Sequence, residues 1–214
     1  MMTQELQDLA ALSMEHGQIP SGLYDQYHVL RGLRDVNGKG VLAGLTDIST
    51  ITSSKEVDGK MVPCDGELRY RGYDIHDLVD GFVAEQRFGY EEVAYLLIFG
   101  RLPQKQELQE FQNLLGSYRT LPTNFVRDVI MKAPSADLMN SLTRSVLTLA
   151  SYDDGISDSS LQTVLMQCMK LISEMPMLAV YGYHSYNHFL RDESLYIHRP
   201  QPELSTAENI LLML

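Results

Sequence analysis

Apolar positions along this chain recur with a period of two near the front and then, for most of its length, with the three-and-four spacing of amphipathic helices. Leu6, Leu9, Ala10 and Ser13 sit at helical spacing, and Gly17 and Pro20 end that segment. A further turn or two of helix is expected over 21–28, carrying Leu23 and Tyr27. The Thr- and Ile-rich stretch 45–52 reads as a strand, and Asp58-Gly59 as the turn of a small hairpin excursion over 56–62. Glu67-Leu68-Arg69-Tyr70-Arg71 alternates as a half-buried strand does, and Gly72 lets the chain turn. Asp74 is placed to cap a short helix through Ile75, Leu78 and Val79. The next helix runs from Tyr90 to Phe99, with Glu91 and Glu92 at its positive end and Gly100 as its left-handed cap.

Beyond Pro103 the pattern is helical throughout. Leu108, Phe111, Leu114 and Leu115 form one stripe, and Pro122-Thr123 start a helix through Phe125, Val126, Val129 and Ile130 that stops at Ala133-Pro134. Ser135 is expected to cap the following helix, which buries Leu138, Met139, Leu142, Val146 and Leu149. Ser157 or Asp158 then caps the longest periodic segment, with apolar residues at Leu161, Val164, Leu165, Cys168, Met169 and Ile172. Pro176 should kink or break it, and Met177, Leu178, Ala179, Val180 and Tyr181 predict burial on every side beyond that point. Ser205 and Glu208 form a capping box, so a helix begins at Thr206. The run from Ile210 to Leu214 has no closing signal, which predicts a helix meant to continue and a bare apolar patch where it does not.

The order of strand, YRGYDI, helix, YEEVAYLLIFGRLP and a helix with Glu107-Leu108 and Phe111 resembles the N-terminal region of citrate synthases. Leu171-Ile172-Ser173-Glu174-Met175-Pro176 followed by Ala179-Val180-Tyr181 is similar to that family's LISK-P-x-x-x-A-Y helix, and Leu204 to Asn209 to its LSYAENFL start. The resemblance runs from about Gly32 to Leu214. It implies a mainly α fold, part of a large helical domain with a small antiparallel β region near the N-terminus. The expected divisions are an N-terminal helical extension over 1–30, the β region over 31–73 with an insertion at 53–65, and the helical part over 74–214.

Composition narrows the partners. With 28 acidic against 17 basic residues the chain carries a formal charge of −11, which repels nucleic acid and anionic membrane surfaces. The 44% hydrophobic content suits a globular core. No signal-peptide pattern opens the chain and no apolar run is expected to reach a membrane span, so the expected location is the cytoplasm. Cys64 and Cys168 fit no paired motif and read as buried or incidental thiols of a reducing compartment.

Several groups invite a chemical reading. Gly38-x-Gly40-x-x-x-Gly44 departs from the dinucleotide pattern, follows no apolar strand and reads as a loop. His184 and His188 are one helical turn apart, yet HSYNH lacks the glutamate of a zinc protease and any third ligand, so they are expected to be exposed or hydrogen-bonded. Asp153-Asp154 and the Asp77, Asp80 pair sit where carboxylates cap and solvate. Arg69 and Arg71 are expected on one face of the strand, paired with carboxylates, and Tyr181, Tyr183 and Tyr186 as packing residues.

The resemblance implies an acyl-CoA condensed with an oxoacid, acetyl-CoA with oxaloacetate or propionyl-CoA in the 2-methylcitrate variant, by aspartate and histidine acid–base chemistry. The family's histidines lie in motifs like HADHE, GPLHGGA and GHRVY, and none occurs between Met1 and Leu214. No catalytic, cofactor-binding or metal residue is therefore assigned, no covalently bound cofactor is expected, and the chain alone is expected to be an inactive, truncated part. The resemblance also implies a homodimer through helices at 135–152 and 160–188. A non-catalytic helical dimerisation module is the rival reading.

Overall fold

A computed structural model describes residues 20–27, 32–34, 38, 40–41 and 46–214. The helix expected around Leu6–Ser13 and Gly44 of the glycine cluster lie outside the described residues. Residues 1–47 and 48–214 form separate compact units. In the first, α1 (Gly22–Gln26) occupies part of the segment expected to be helical. Arg34 and Gly40 make an antiparallel bridge, closed by Arg34 Nη1 donating to Gly38 O at 2.9 Å, so this glycine pair serves a tight loop.

The second unit is mainly helical and opens with a three-stranded antiparallel sheet, in the order β1 (Ser49–Val57), β2 (Lys60–Tyr70), β3 (Tyr73–Asp74). Val57 faces Lys60 across Asp58 and Gly59, whose φ of 52° and 75° suit the mirror-image turn that follows strand twist. What reads as a strand over 45–52 plus a separate excursion is one long hairpin, continuous through a bulge between Thr52 and Ser54, and 53–65 is its outer half. A second tight turn places Arg71 (φ 48°) and Gly72 (φ 88°) between paired Tyr70 and Tyr73. Arg71 is thus a turn residue, not a strand neighbour of Arg69.

The helices follow: α2 (Ile75–Ala84), α3 (Tyr90–Phe99), α4 (Lys105–Ser117), α5 (Leu138–Leu149), α6 (Leu161–Arg191) and α7 (Thr206–Met213). Asp74 Oδ1 accepts from His76 N at 2.9 Å and starts α2, and Gly100 (φ 79°) ends α3 in the left-handed region. Residues 122–133 do not form the expected helix. Asn124 takes φ 62°, and a single π-helical turn, Val126–Ile130, puts Phe125 and Ile130 into the core. The cap of α5 is Asp137, accepting from Asn140 N at 3.0 Å, while Ser135 Oγ accepts from Asp137 N one step earlier. The cap of α6 is Ser160, whose hydroxyl donates to Asp158 at 2.9 Å.

α6 runs unbroken through Pro176. An interior proline costs a helix about 3 kcal/mol, and burial on both sides of it offsets this: Ser173, Met177 and Leu178 are each within 3% of full burial. The core around this helix has two parts. Phe125, Ile130, Met177, Leu178, Val180, Tyr181 and Met213 form one, and Phe111, Leu115 and Met169 the other. In length and composition α6 would suffice to cross a membrane, contrary to the sequence expectation, but its buried apolar residues pack within these clusters.

Burial beyond Pro176 is not all-round. Ala179, Tyr183 and Leu190 remain exposed and share one stripe of α6 with Leu161, Val164, Cys168 and Met175 before the proline. On α5, Met139, Thr143 and Leu147 form a second exposed stripe. Leu165 and Val180, by contrast, pack within the fold.

Candidate functional site

The structure separates the groups that the sequence placed together. His184 is buried, with Nε2 2.9 Å from Met213 O, and His188 Nδ1 lies 2.8 Å from Glu193 O. A carbonyl accepts, so each of these nitrogens carries a proton and neither faces a shared ion. Among the described residues no group of three potential ligands could hold a metal. Arg69 approaches Asp74 at 3.9 Å, while Arg71 Nη2 donates to Leu97 O at 3.0 Å, tying the turn to the end of α3. Asp153 does turn work, accepting from Gly155 N at 3.0 Å, and Asp77 and Asp80 are exposed on α2. Tyr181 is a packing residue whose hydroxyl donates to His198 O at 2.8 Å, whereas Tyr183 is exposed. Cys168 is an exposed thiol and Cys64 a half-buried one, so of the two readings, buried or incidental, neither residue fits the first.

Two polar arrangements escape the sequence reading. The first is structural. Glu91 is fully buried at the start of α3, and its Oε1 accepts from Thr206 N at 2.7 Å. Arg119, just past α4, sits 3.7 Å from that oxygen and donates to Thr206 Oγ1 at 3.2 Å, to Pro202 O at 3.3 Å and to Leu204 O. Burial lowers the pKa of Arg119 and the Glu91 charge opposes that shift. Asn209 completes the latch, accepting from Gln201 N at 2.7 Å and donating to Gln201 O at 3.0 Å. The segment 201–206 is thereby fixed over α4, where Gly116 leaves room for Pro202 O.

The second arrangement is a cavity of about 470 Å³ between the end of α5, the segment 118–122 and the N-terminal half of α6. Leu121, Val146, Leu149 and Leu171 give it apolar walls, with Tyr118 and Tyr152 at its edge. Its polar side chains, besides the two tyrosines, are Thr120, Asp153, Gln167, Lys170 and Glu174. Asp153 Oδ2 accepts from Gln167 Nε2 at 2.8 Å, so those two satisfy each other. Glu174 is half-buried, and loss of solvent pushes its pKa up to about 7, with Asp153 adding to the rise and Lys170 opposing it. A carboxyl pushed up toward neutrality beside apolar walls makes this cavity the candidate site among the described residues. In the sequence only one sign of it exists: an acid, one turn after Lys170, inside a segment otherwise apolar.

Comparison with known proteins agrees with the architecture. The family model described as citrate synthase, C-terminal domain, matches residues 32–214. A citrate synthase of Corynebacterium glutamicum is 31% identical over 166 residues, covering 76% of this chain and 35% of that protein. The 2-methylcitrate synthase 2 of the same organism is 28% identical over 174 residues, covering 81% of this chain and 40% of the relative. The crystal structure of citrate synthase from Pyrobaculum aerophilum superposes with a TM-score of 0.64 at 28% identity, over 84% of this chain and 41% of that one. The chain thus spans well under half the length of these relatives. With a family match across nearly all of its described length, the chain belongs to the citrate synthase family.

Proposed function

We propose that this chain is the N-terminal part of an acyltransferase that condenses acetyl-CoA with oxaloacetate to give citrate and CoA. The observation that carries this reading is the agreement of fold and sequence with a citrate synthase over 84% of the chain. A 2-methylcitrate synthase is nearly as similar, so propionyl-CoA is the alternative acyl donor. Residues 1–214 alone are read as inactive: they contain none of the histidine motifs that the family resemblance calls for, and His184 and His188 are committed to backbone carbonyls. Their role is to form scaffold and pairing surface. The exposed stripes on α5 and α6 support a homodimer, since two copies packed about a two-fold axis would cover apolar side chains that one copy leaves in water.

The test measures CoA release from acetyl-CoA and from propionyl-CoA with oxaloacetate, using the gene's complete product and residues 1–214 separately. Release by the complete product only is the expected result. Release by neither, with a dimer in sedimentation, would leave the non-catalytic pairing module in its place.

A further inference from the structure

We propose that the cavity between the end of α5 and α6 is a binding site for small monoamines with an apolar body, with Glu174 as their counter-ion. One lining residue, Leu147, belongs to the exposed stripe of α5, while the α6 residues of the lining, Gln167, Lys170, Leu171 and Glu174, lie off the exposed stripe of that helix. Its volume of about 470 Å³ falls within the roughly 300–1,000 Å³ that small-molecule pockets occupy. Its walls are aliphatic and aromatic, which suits a hydrocarbon or aryl body, and a few polar groups converge at one side to fix a head group.

Which head group follows from the hydrogen bonds already made. Asp153 is occupied by Gly155 N at 3.0 Å and by Gln167 Nε2 at 2.8 Å, and Gln167 also reaches Gly155 O at 3.3 Å. Among the described residues none donates a hydrogen bond to the Glu174 carboxyl, and none forms a salt bridge with it. The cavity therefore presents a half-buried acceptor without a donor, which an N–H⁺ group would complete. Charge points the same way. Arg119, the one charged residue of the segment 118–122, is turned away to Glu91 and Thr206, and the lining part of α5 brings no charge, so the charged groups around Glu174 are Asp153 and Lys170. With Glu174 ionised the lining holds two negative charges against one positive, which favours a cation over a carboxylate.

Binding of an ammonium requires the ionised carboxyl, so affinity is linked to pH. With a value of about 7, Glu174 is ionised in about one tenth of molecules at pH 6 and about nine tenths at pH 8, and apparent affinity rises about tenfold between them. The experiment titrates residues 1–214 with phenethylamine, 2-phenylethanol and 3-phenylpropionate by heteronuclear NMR at both pH values, with sedimentation run on each sample to read self-association separately. Phenethylamine is expected to shift resonances of residues around the cavity, to bind about tenfold more tightly at pH 8 than at pH 6, and to bind more tightly than either analogue. Glu174→Gln, which keeps the volume but removes the charge and one of the two acceptor oxygens, should weaken amine binding at pH 8 at least tenfold, and Lys170→Gln should strengthen it. Equal binding of the alcohol, affinity independent of pH, undiminished binding by Glu174→Gln, or no binding of the amine would each overturn the proposal.

Discussion

The backbone N–H of Thr206 donates to Glu91 Oε1 at 2.7 Å across 115 positions of sequence. A helix start leaves its first N–H groups unpaired, and here a carboxylate from another helix takes one of them where the helix dipole also favours negative charge. The same oxygen faces the buried Arg119 guanidinium. Removing the acceptor leaves a buried cation without its counter-charge, so Glu91→Ala should cost about 3 kcal/mol or more in urea denaturation. Glu91→Gln keeps an acceptor for Thr206 and should cost less. Equal losses for the two variants would mean that the charge facing Arg119 carries the whole effect and that a neutral acceptor for Thr206 contributes nothing.

Gly116 tests the same junction sterically. A Cβ there would lie 2.4 Å from Pro202 O, so Gly116→Ala must displace the 201–206 segment and should lose about 1–3 kcal/mol. Gly182, inside α6, has nothing within 4 Å of such a Cβ. Gly182→Ala should be neutral or gain up to about 1 kcal/mol through helix propensity. Paired thermal melts of the two variants check both, and a destabilised Gly182→Ala would show that α6 carries a close neighbour at that site.

The proposed dimer makes a positional prediction. Tyr183→Asp and Leu147→Asp put charge on the exposed stripes and should yield a monomer of unchanged helicity. Val180→Asp places the charge in a residue 5% exposed and should unfold the chain. Sedimentation and far-ultraviolet circular dichroism separate the two outcomes. A dimer that survives both stripe variants counts against these helices as the interface.

Glu174 predicts how stability depends on pH. Its folded value of about 7 exceeds the ordinary 4.5, so between those values the folded state holds a proton that the unfolded chain has released. The contribution is fully present below about 4.5 and is lost as pH rises through about 7. Glu174→Gln removes the titration, so the variant should match the parent near pH 4 and become the more stable of the two by pH 8. Denaturation curves from pH 4 to 8 measure this, and a constant gap would place Glu174 in water.

Much of this chain was decided locally. The Asp74 cap, the Tyr90–Phe99 helix closed by Gly100, the Asp58-Gly59 turn and the Ser205, Glu208 box all form from partners within four residues, so the sequence contains everything those elements need. Family-specific spacing of such elements also made the fold class legible before any coordinate. What the sequence left open was decided by contacts between distant segments. Periodicity marks α6 as apolar on most sides, yet only packing against α4, α5, the π-helical turn and α7 determines that Val180 is buried and Ala179 exposed. The same burial carries the helix through Pro176, overriding a local penalty of about 3 kcal/mol. Within residues 122–133 a positive φ at Asn124 and a single π turn replace the expected helix, because Phe125 and Ile130 must both reach the core. His184 meets Met213, and Glu91 meets Thr206, across chain lengths that no short-range pattern encodes. Glu174 belongs with these: its identity is written in the sequence, but the titration near pH 7 arises only once three other segments close around it and remove its water.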